Sequence, residues 1–354
     1  MRITDYHLGK LEAPIGRTIG DSQVDPIEEF ELVYLVLEAD TGMEGIGFER
    51  INLTGGHLVP FTEIETAFEA VFENLRGNSP FALKNRMYRH RGGNYRSSRF
   101  AQLIAIALWD LCANHLPTTV TELMGSNVDG TADTVLEYAS GLSYPNDDET
   151  TRSLYEHFAD LGFTAAKVKI GYPTLTEDID RLTLVEDALG SLDTLMIDAN
   201  EAFSPKEAIR RCRAYKEAGF DIYWFEDPVL RDDIDGLRQV VDALPNTHVN
   251  AGEYVNLEGK RDLLERGAVD IVNLRGLSSG RAAARLATAY GRALALGNTP
   301  GDVGIHLAAA LPDMTYIEWS KPGWGNLLED PVDFTGGRAT VPEGPGHGLS
   351  ISDR

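Results

Sequence analysis

Residues 165–170, Ala165-Ala-Lys167-Val-Lys169-Ile170, begin the stretch of the chain that decides the fold. Three later segments share their pattern of a short apolar or β-branched run, a charged residue, a turn signal and a helical stretch. These segments are Leu195-Met-Ile-Asp198-Ala-Asn200, Tyr223-Trp-Phe-Glu226-Asp-Pro228 and Val249-Asn-Ala-Gly-Glu253. They recur at intervals of about 30 residues. This alternation predicts a (β/α)8 barrel, in which residues at the carboxyl ends of successive strands converge on one face.

Three acidic residues, Asp198, Glu226 and Glu253, follow the apolar runs at matching positions. A single acid after a strand is most often a helix N-cap or a solvated loop residue. Three carboxylates brought together at one end of a barrel would repel strongly unless a cation neutralised them. Mg²⁺ suits a few carboxylates together with substrate oxygens. The pattern therefore predicts that these three acids jointly bind one Mg²⁺ in the active site.

Two lysines, Lys167 and Lys169, precede the acids at the same spacing. Because side chains alternate along a strand, both lysines point to the same side. The chain has only eight lysines against 24 arginines, so two in one triplet is a marked concentration. An edge strand protected by charge would also carry such a pair. A closed barrel has no edge, so the pair is predicted to lie beside the metal site.

A family resemblance rests on these residues and on motifs outside them. Gly42-Met-Glu-Gly45-Ile-Gly47 resembles the glycine-rich strand pair of an N-terminal capping domain, and Trp109-Asp110 resembles the helix signature that precedes the barrel. Pro345-Gly-His-Gly348 resembles the closing segment that returns to the cap. With the lysine pair and the three acids, these motifs resemble the enolase superfamily, in its mandelate racemase/muconate lactonizing enzyme group. The likeness runs nearly from end to end.

The resemblance implies an α/β fold, a modified (β/α)8 barrel with an α+β capping domain. The expected domains are a cap over residues 1–125, a catalytic barrel over 126–330, and a segment over 331–354 that packs back on the cap. Residues 1 to about 50 favour an antiparallel sheet, and residues 61–115 have helical periodicity. The eight predicted barrel strands cover 135–139, 166–170, 195–199, 222–226, 248–252, 270–274, 293–296 and 315–318.

The resemblance also implies a chemistry, in which the α-proton of a carboxylate substrate is removed to give a metal-stabilised enediolate. Lys169 would be the base, and Lys167 would lower the pKa of Lys169 and contact the substrate carboxylate. Glu318, at the end of the last strand, would hydrogen-bond the enediolate, although it could instead anchor the closing loop. Asn200, and His57 from a loop over the barrel mouth, are expected to contact the substrate.

The sequence departs from its relatives after strands six and seven. The lactonizing branch has a second lysine at the end of strand six, and the racemase branch has an aspartate there and a histidine after strand seven. The matching residue here is Arg275, a poor base because its pKa stays above about 12. Arg275 and Asn298 are therefore predicted to bind substrate. His306 follows Asn298 but matches a helix motif, which favours a structural role.

Three functions remain open on this pattern. The first is a one-base lyase, such as an acid-sugar dehydratase, in which Lys169 removes the α-proton and a β-hydroxyl leaves. The second is a racemase, epimerase or cycloisomerase with an unidentified second acid-base residue. The third is a metal-binding family member that has lost catalysis. Both lysines and all three acids are present, which argues against lost catalysis, and Arg275 in place of a second base argues against a racemase. The lyase is therefore the first prediction, and a small-molecule carboxylate is the expected substrate.

The net charge of -23 over 354 residues excludes some partners. Such a surface repels nucleic acid and anionic membranes. It also suits concentrated salt, where screening removes self-repulsion, so we expect a halophilic source. The first residues lack the apolar core of a signal peptide, and the two cysteines are predicted to be free buried thiols. A cytoplasmic homo-oligomer is expected.

Overall fold

The computed structural model describes residues 1–20, 27–50, 60–85, 100–125, 133–142, 146–297, 303–319, 328 and 332–351. Eight parallel strands form a barrel in which each strand pairs with the next along the chain. They are β4 (Thr134–Ser140), β5 (Ala165–Lys169), β6 (Thr194–Asp198), β7 (Ile222–Glu226), β8 (His248–Ala251), β9 (Ile271–Leu274), β10 (Ala293–Leu296) and β11 (Met314–Trp319). Pairing between β11 and β4 closes the barrel. The predicted fold class is confirmed.

The helices that connect these strands lie outside the barrel. They are α5 (Asp148–Asp160), α6 (Leu175–Leu189), α7 (Pro205–Glu217), α8 (Ile234–Ala243), α9 (Leu257–Glu265), α10 (Leu277–Ala289) and α11 (Gly304–Ala309). Short polar side chains cap several of their N-termini, as the sequence favours. Thr174 and Glu177 form a reciprocal capping box at the start of α6, and Asn256 caps α9. These caps fix where each loop from a strand end turns into its helix.

The N-terminal cap combines an antiparallel sheet with helices. The sheet contains β1 (Ile3–Ile19), β2 (Ile27–Ala39) and β3 (Glu44–Arg50) in that order, and the helices are α1 (Phe61–Phe72), α2 (Pro80–Lys84), α3 (Ala101–His115) and α4 (Val120–Met124). The glycine pair of β3 lets the sheet approach α3 closely. A Cβ atom at Gly47 would lie 2.2 Å from the carbonyl oxygen of Leu103, so any other residue would separate the two elements.

The cap and the barrel are joined through α3. The indole nitrogen of Trp109 donates a 3.0 Å hydrogen bond to Ser278 on α10. The carboxylate of Asp110 accepts hydrogen bonds from the backbone of Ile46 on β3 and of His347 near the C-terminus, both at 2.8 Å. The Trp109-Asp110 pair therefore connects the sheet of the cap, the barrel and the closing segment.

The closing segment contacts the barrel before it reaches the cap. Strands β12 (Phe334–Thr335) and β13 (Arg338–Thr340) form a hairpin, and β13 pairs antiparallel with β4. Farther on, Gly346 pairs with Thr119 beside α4. The segment after residue 331 thus first extends the barrel sheet, because residues 134–136 of β4 pair with neither β5 nor β11 and accept a further strand, and only then contacts the cap.

The barrel interior below the strand ends is filled by large aromatic side chains. Tyr138, Trp224 and Tyr316 contact one another edge to face, with ring centroids 5.2 to 6.4 Å apart. Their packing fills the barrel interior beneath the residues at the carboxyl ends of the strands. Among the helices in the described residues, none is long and apolar enough to cross a membrane.

Candidate active site and metal centre

The predicted charged residues end successive strands on one face of the barrel. Lys169, Asp198 and Glu226 are the last residues of β5, β6 and β7, and they are level with one another in the strand register. Glu253 lies two residues beyond the end of β8, and Glu318 is the next-to-last residue of β11. The strand ends therefore bring these five side chains to the same mouth.

Lys167 lies at the centre of a buried ion cluster. Its Nζ is 3.0 Å from both carboxylate oxygens of Glu226, 3.1 Å from Oε1 of Glu318 and 3.4 Å from Oδ2 of Asp198. Burial alone would lower the pKa of Lys167, but the negative charges of Glu226 and Glu318 outweigh it and raise that pKa well above its ordinary value. Lys167 is therefore a permanent cation in this arrangement, with its charge directed at three carboxylates.

Lys169 lies nearer the mouth than Lys167, because it is two residues farther along the same strand. Its Nζ is 2.7 Å from Oδ2 of Asp198 and 2.5 Å from Oδ1 of Asn200. Its side chain is 9% exposed, against 3% for Lys167. Asn200, which is predicted to contact the substrate, thus contacts Lys169 directly, and Lys169 is the more accessible of the two amines.

The carboxylates of Asp198 and Glu226 differ in their electrostatic surroundings. Burial alone would raise the pKa of Asp198, but the ammonium groups of Lys169 and Lys167 outweigh it and hold the pKa below its ordinary value. Burial raises the pKa of Glu226 well above its usual range, and repulsion from Asp198 and Glu318 adds to this effect despite Lys167. The cluster thus contains more negative charge than its lysines neutralise.

Two asparagines that sequence reasoning did not assign hold Glu226. The amide of Asn273 donates to Oε1 at 3.1 Å, and the amide of Asn250 donates to Oε2 at 3.3 Å. Asn273 is fixed in turn by the backbone N–H of Gly297, which donates to its Oδ1 at 3.0 Å. Both asparagines occupy barrel strands, and their position inside β8 and β9 was the signal that could have found them.

The turns after β6 and β7 are held in a left-handed conformation. Asn200, Glu201 and Asp227 have φ angles of 44°, 67° and 37°, a region that side chains other than glycine seldom adopt. The backbone N–H of Asn200 donates to Oδ1 of Asp198, and that of Glu201 donates to the carbonyl of Asp227. Burial and the charges of Asp198 and Glu253 raise the pKa of Asp227 to about 7. These turns thus hold the carboxylates of Asp198 and Asp227 close to each other and to Glu253.

Glu253 differs from the other two acids because one of its oxygens is unsatisfied. Within the described residues, its buried Oε1 has no hydrogen-bond partner. Burial and the charge of Glu318 raise its pKa, although Arg275 opposes the effect. An orphaned buried carboxylate oxygen is costly unless something outside the protein binds it. Glu253 therefore presents an oxygen ligand to the site.

Arg275 directly follows β9 and lies against Tyr254, with its guanidinium carbon 5.0 Å from the ring centroid. Arg231 lies 5.0 Å from the same centroid, but it is bonded to Glu201. Burial alone would lower the pKa of Arg275, but Glu49 of the cap, Tyr254 and Glu253 raise it. The buried Nε of Arg275 has no hydrogen-bond partner in the described part of the chain. This N–H is available to a substrate oxygen.

Three further residues complete the comparison with the sequence. His57 and Asn298, predicted to bind substrate, lie outside the described residues. His306 is buried, with Nδ1 2.8 Å from Thr121 Oγ1 and Nε2 2.9 Å from the carbonyl oxygen of His347. Burial lowers its pKa to about 4. His306 therefore joins α11 to α4 and to the closing segment as a neutral side chain.

The donor set fits a divalent cation, although the acids do not form a ready-made cage. In the described ranges, no three His, Cys, Asp or Glu side chains are arranged closely enough to hold a metal ion as they stand. Lys167 instead lies between the carboxylates of Asp198, Glu226 and Glu318. The acids near Lys167 and Lys169 outnumber these two lysines by two; they are Asp198, Glu226, Glu253 and Glu318. Glu253 also has an oxygen that is unsatisfied in those ranges. A hard cation of charge two with oxygen ligands matches this chemistry.

Comparison with known proteins identifies the class. Residues 150–354 match the family described as Enolase C-terminal domain-like. The chain superimposes along its whole length on a candidate mandelate racemase from Mesorhizobium loti, covering 93% of that chain, with 36% identity and a TM-score of 0.90. The protein therefore belongs to the enolase superfamily, in its mandelate racemase/muconate lactonizing enzyme group, as the sequence motifs predicted.

Two further relatives show the range of activities. The chain is 28% identical to 3,6-anhydro-alpha-L-galactonate cycloisomerase from Streptomyces coelicolor, over 96% of this chain and 94% of that protein. It is 25% identical to L-talarate dehydratase from Polaromonas sp. JS666, over 99% and 95% of the two chains, with a TM-score of 0.85. That dehydratase was solved with Mg and L-glucarate. These names agree with the predicted enzyme class, a lyase or an isomerase, and with the predicted cofactor.

Proposed function

We propose that the protein is a Mg²⁺-dependent lyase that dehydrates an acid sugar or another hydroxy acid. The observation that carries the proposal is the position of Lys169, an amine at the barrel mouth beside the predicted metal ligands and opposite a side of the site formed by Arg275 and amides. A small carboxylate substrate with a hydroxyl on the β-carbon suits this arrangement. The dehydratase relative solved with Mg and L-glucarate supports the substrate class.

Asp198, Glu226 and Glu253 are the proposed ligands of one Mg²⁺. They end three consecutive strands, they are oxygen donors, and Glu253 has a buried oxygen without a partner in the described residues. Bound Mg²⁺ would act as a Lewis acid on the substrate carboxylate and stabilise the negative charge that develops when the α-proton leaves. Lys167, a permanent cation, would help to hold the same carboxylate.

Lys169 is the proposed general base. In its neutral form, Nζ removes the α-proton, the C–H electron pair forms a double bond to the β-carbon, and the β-hydroxyl leaves. The proton that Nζ received can pass to the departing oxygen. Lys169 therefore both accepts the α-proton and donates the proton with which the hydroxyl leaves as water. In a substrate that also carries an α-hydroxyl, the product is an enol, which becomes a 2-keto acid when the former β-carbon gains a proton and the enol hydroxyl loses one. Asn200, bonded to Nζ at 2.5 Å, would orient the amine.

The opposite side of the site supports a one-base reaction. On this side, the polar or turn residues within the described ranges are Asn273 in β9, Arg275 directly after β9 and Gly297 directly after β10, and none of these can accept a proton near neutral pH. His306 is engaged at both ring nitrogens. Glu318, bonded to Lys167, is proposed to contribute negative charge that keeps Lys167 protonated, and Arg275 to bind a substrate oxygen.

A panel of 2,3-dihydroxy carboxylates, incubated with Mg²⁺ and high salt in deuterated water, tests this function. Dehydration is expected to give a 2-keto acid with solvent deuterium at C3, observed by NMR and mass spectrometry. Recovery of substrate with deuterium at C2 in both configurations would favour a racemase or epimerase. A cyclised isomer would favour the second candidate function, which the cycloisomerase relative supports because it matches 96% of this chain. Absence of both exchange and turnover across the panel would contradict the proposal.

A further inference from the structure

Lys260 is a buried lysine directly behind the loop that carries Glu253. It is the fourth residue of α9 and is only 5% exposed. Its ammonium group donates hydrogen bonds to the carbonyl oxygens of Gly252 and Val255, the latter at 2.8 Å. These carbonyls belong to residues on either side of Glu253. The backbone of the loop therefore wraps around the Lys260 side chain.

The position of Lys260 is unfavourable for a cation in two respects. Burial of an ammonium group costs several kcal/mol unless it is well compensated, as a general rule. The first turn of a helix carries the positive end of its dipole, which disfavours a positive side chain. Burial lowers the pKa of Lys260 to about 8, even though Glu253 and Asp227 favour its charge. Global stability alone gives little reason for a lysine here.

The three proposed metal ligands are held in different ways, and this difference indicates a structural role for Lys260. Asp198 is fixed by Lys169 and by the backbone of Asn200. Glu226 is fixed by Lys167 and by two amide side chains. The buried Oε1 of Glu253 has no such partner within the described residues. The direction of its side chain therefore depends more on the conformation of the loop than the directions of Asp198 and Glu226 do.

Besides Lys260, the loop is held by a tight turn, by a helix cap and by the Tyr254 ring, which lies against Arg231 and Arg275. Gly252 has a φ angle of 110°, and its carbonyl accepts both the Lys260 ammonium and the backbone N–H of Val255, the latter at 3.1 Å. Beyond the loop, Asn256 caps α9 and accepts from the backbone of Gly259 at 2.8 Å. Lys260 thus connects α9 to the carbonyls on either side of Glu253.

We propose that Lys260 is a positioning residue that fixes the loop between β8 and α9 and so directs the Glu253 carboxylate toward the divalent cation. The inference rests on the proposed function, in which Glu253 is a metal ligand. Residues that orient a metal ligand typically change metal affinity by about 10- to 100-fold when they are replaced. The effect of Lys260 should therefore appear first in Mg²⁺ binding.

The test compares Lys260→Met and Lys260→Gln with the wild-type chain after EDTA treatment. Mg²⁺ affinity is measured by calorimetric titration and by the rise in unfolding temperature on adding the metal. We expect Lys260→Met to weaken Mg²⁺ binding about 10-fold, and Lys260→Gln, which keeps an amide donor, to weaken it less. Lys216→Met is the matched control, because Lys216 also binds a loop carbonyl, that of Asn246 at 2.9 Å, but on α7. Its Mg²⁺ affinity should equal that of the wild type.

Glu253→Gln separates failure of this inference from failure of the metal assignment. If Glu253→Gln binds Mg²⁺ as tightly as the wild type, the proposed metal site is wrong. If Glu253→Gln binds weakly while both Lys260 variants retain wild-type affinity, Lys260 does not position the ligand and the inference is overturned. If Lys260→Met fails to fold, Lys260→Gln decides alone, and unchanged affinity in that variant overturns the inference equally.

Discussion

The two halves of the barrel mouth supply the same site with different chemistry. The ends of β5, β6 and β7 carry Lys169, Asp198 and Glu226, which with Lys167 form direct ion pairs with nitrogen–oxygen distances of 2.7 to 3.4 Å. The ends of β8 and β9 carry amides, a carboxylate with an orphaned oxygen in the described residues, and an arginine against a tyrosine ring. One half is a compact charge network, and the other presents unsatisfied donors and acceptors.

This difference indicates that the two halves of the mouth have different functions. A network in which every charge has a close partner is rigid and sets the protonation state of its members. Groups that lack protein partners are costly unless a ligand satisfies them, so they indicate where a metal ion and a substrate bind. The first half is suited to moving a proton, and the second half to recognising what binds.

Replacing Lys169 should give the largest effect, because it removes the base from the first half. Lys169→Ala is expected to reduce α-proton exchange by at least about 10²- to 10⁴-fold, the usual contribution of a positioned general base. Mg²⁺ affinity should change little, because the backbone N–H of Asn200 still holds Asp198 and the loss of a repelling cation beside the metal offsets the lost hydrogen bond. Exchange is measured by NMR in deuterated water with saturating substrate.

Lys206→Ala is the control for that experiment, since Lys206 lies exposed on α7, outside the barrel. It should retain wild-type exchange. Appreciable exchange in Lys169→Ala, with the control intact, would remove Lys169 from the proton transfer and would assign the first half a purely electrostatic role.

A smaller effect is expected where the two halves meet, at the amides that hold Glu226. Asn273→Ala removes a 3.1 Å hydrogen bond to Glu226 and one of the two acceptors of the backbone N–H of Gly297, which keeps the carbonyl oxygen of Leu274. Mg²⁺ affinity should fall by about 10- to 100-fold, as for other residues that orient metal ligands. Asn250→Ala, which removes a longer bond of 3.3 Å, should cost less. Equal wild-type affinity in both variants, measured by calorimetry, would show that Lys167 alone orients Glu226.

The first half could be predicted from the sequence, and much of the second could not. Lys167, Lys169, Asp198 and Glu226 are charged residues in phase after apolar runs, and such a recurrence seldom arises by chance. All eight barrel strands also follow from such runs. Asn250 and Asn273 give only a weak signal, an amide inside an apolar strand, because their hydrogen bonds to Glu226 depend on strand register.

Other features needed the three-dimensional structure for similar reasons. Lys260, in Leu257-Glu-Gly-Lys260-Arg, has the sequence context of an exposed helix lysine, and only the path of the preceding loop buries it. Strands β12 and β13 have two and three residues, too short for an alternating pattern to be recognised. Sequence reasoning thus identifies charges that recur in phase, while contacts made by a single loop or a short hairpin require the coordinates.

The smallest expected effect concerns Arg275, the group that distinguishes the second half from that of its racemising relatives. Its buried Nε lacks a partner in the described residues and is proposed to bind a substrate oxygen. A hydrogen bond to a charged group contributes about 1.5–3 kcal/mol. Arg275→Lys keeps the charge but loses the planar fork, so substrate binding should weaken by about 5- to 10-fold, roughly half of that contribution. The rate for bound substrate should change less.

Arg231→Lys is the matched control, because Arg231 lies at the same distance from the Tyr254 ring but is bonded to Glu201. It should change the KM less than Arg275→Lys does. The stereochemistry of exchange then decides the comparison between the two halves. If Arg275 has replaced a second base, only one enantiomer of a simple α-hydroxy acid will exchange its α-proton in deuterated water, because Lys169 acts from one face. Exchange of both enantiomers at similar rates would require a base on the opposite face. The racemase function would then replace the lyase, and residues 298–306 would be the first segment to search for that base.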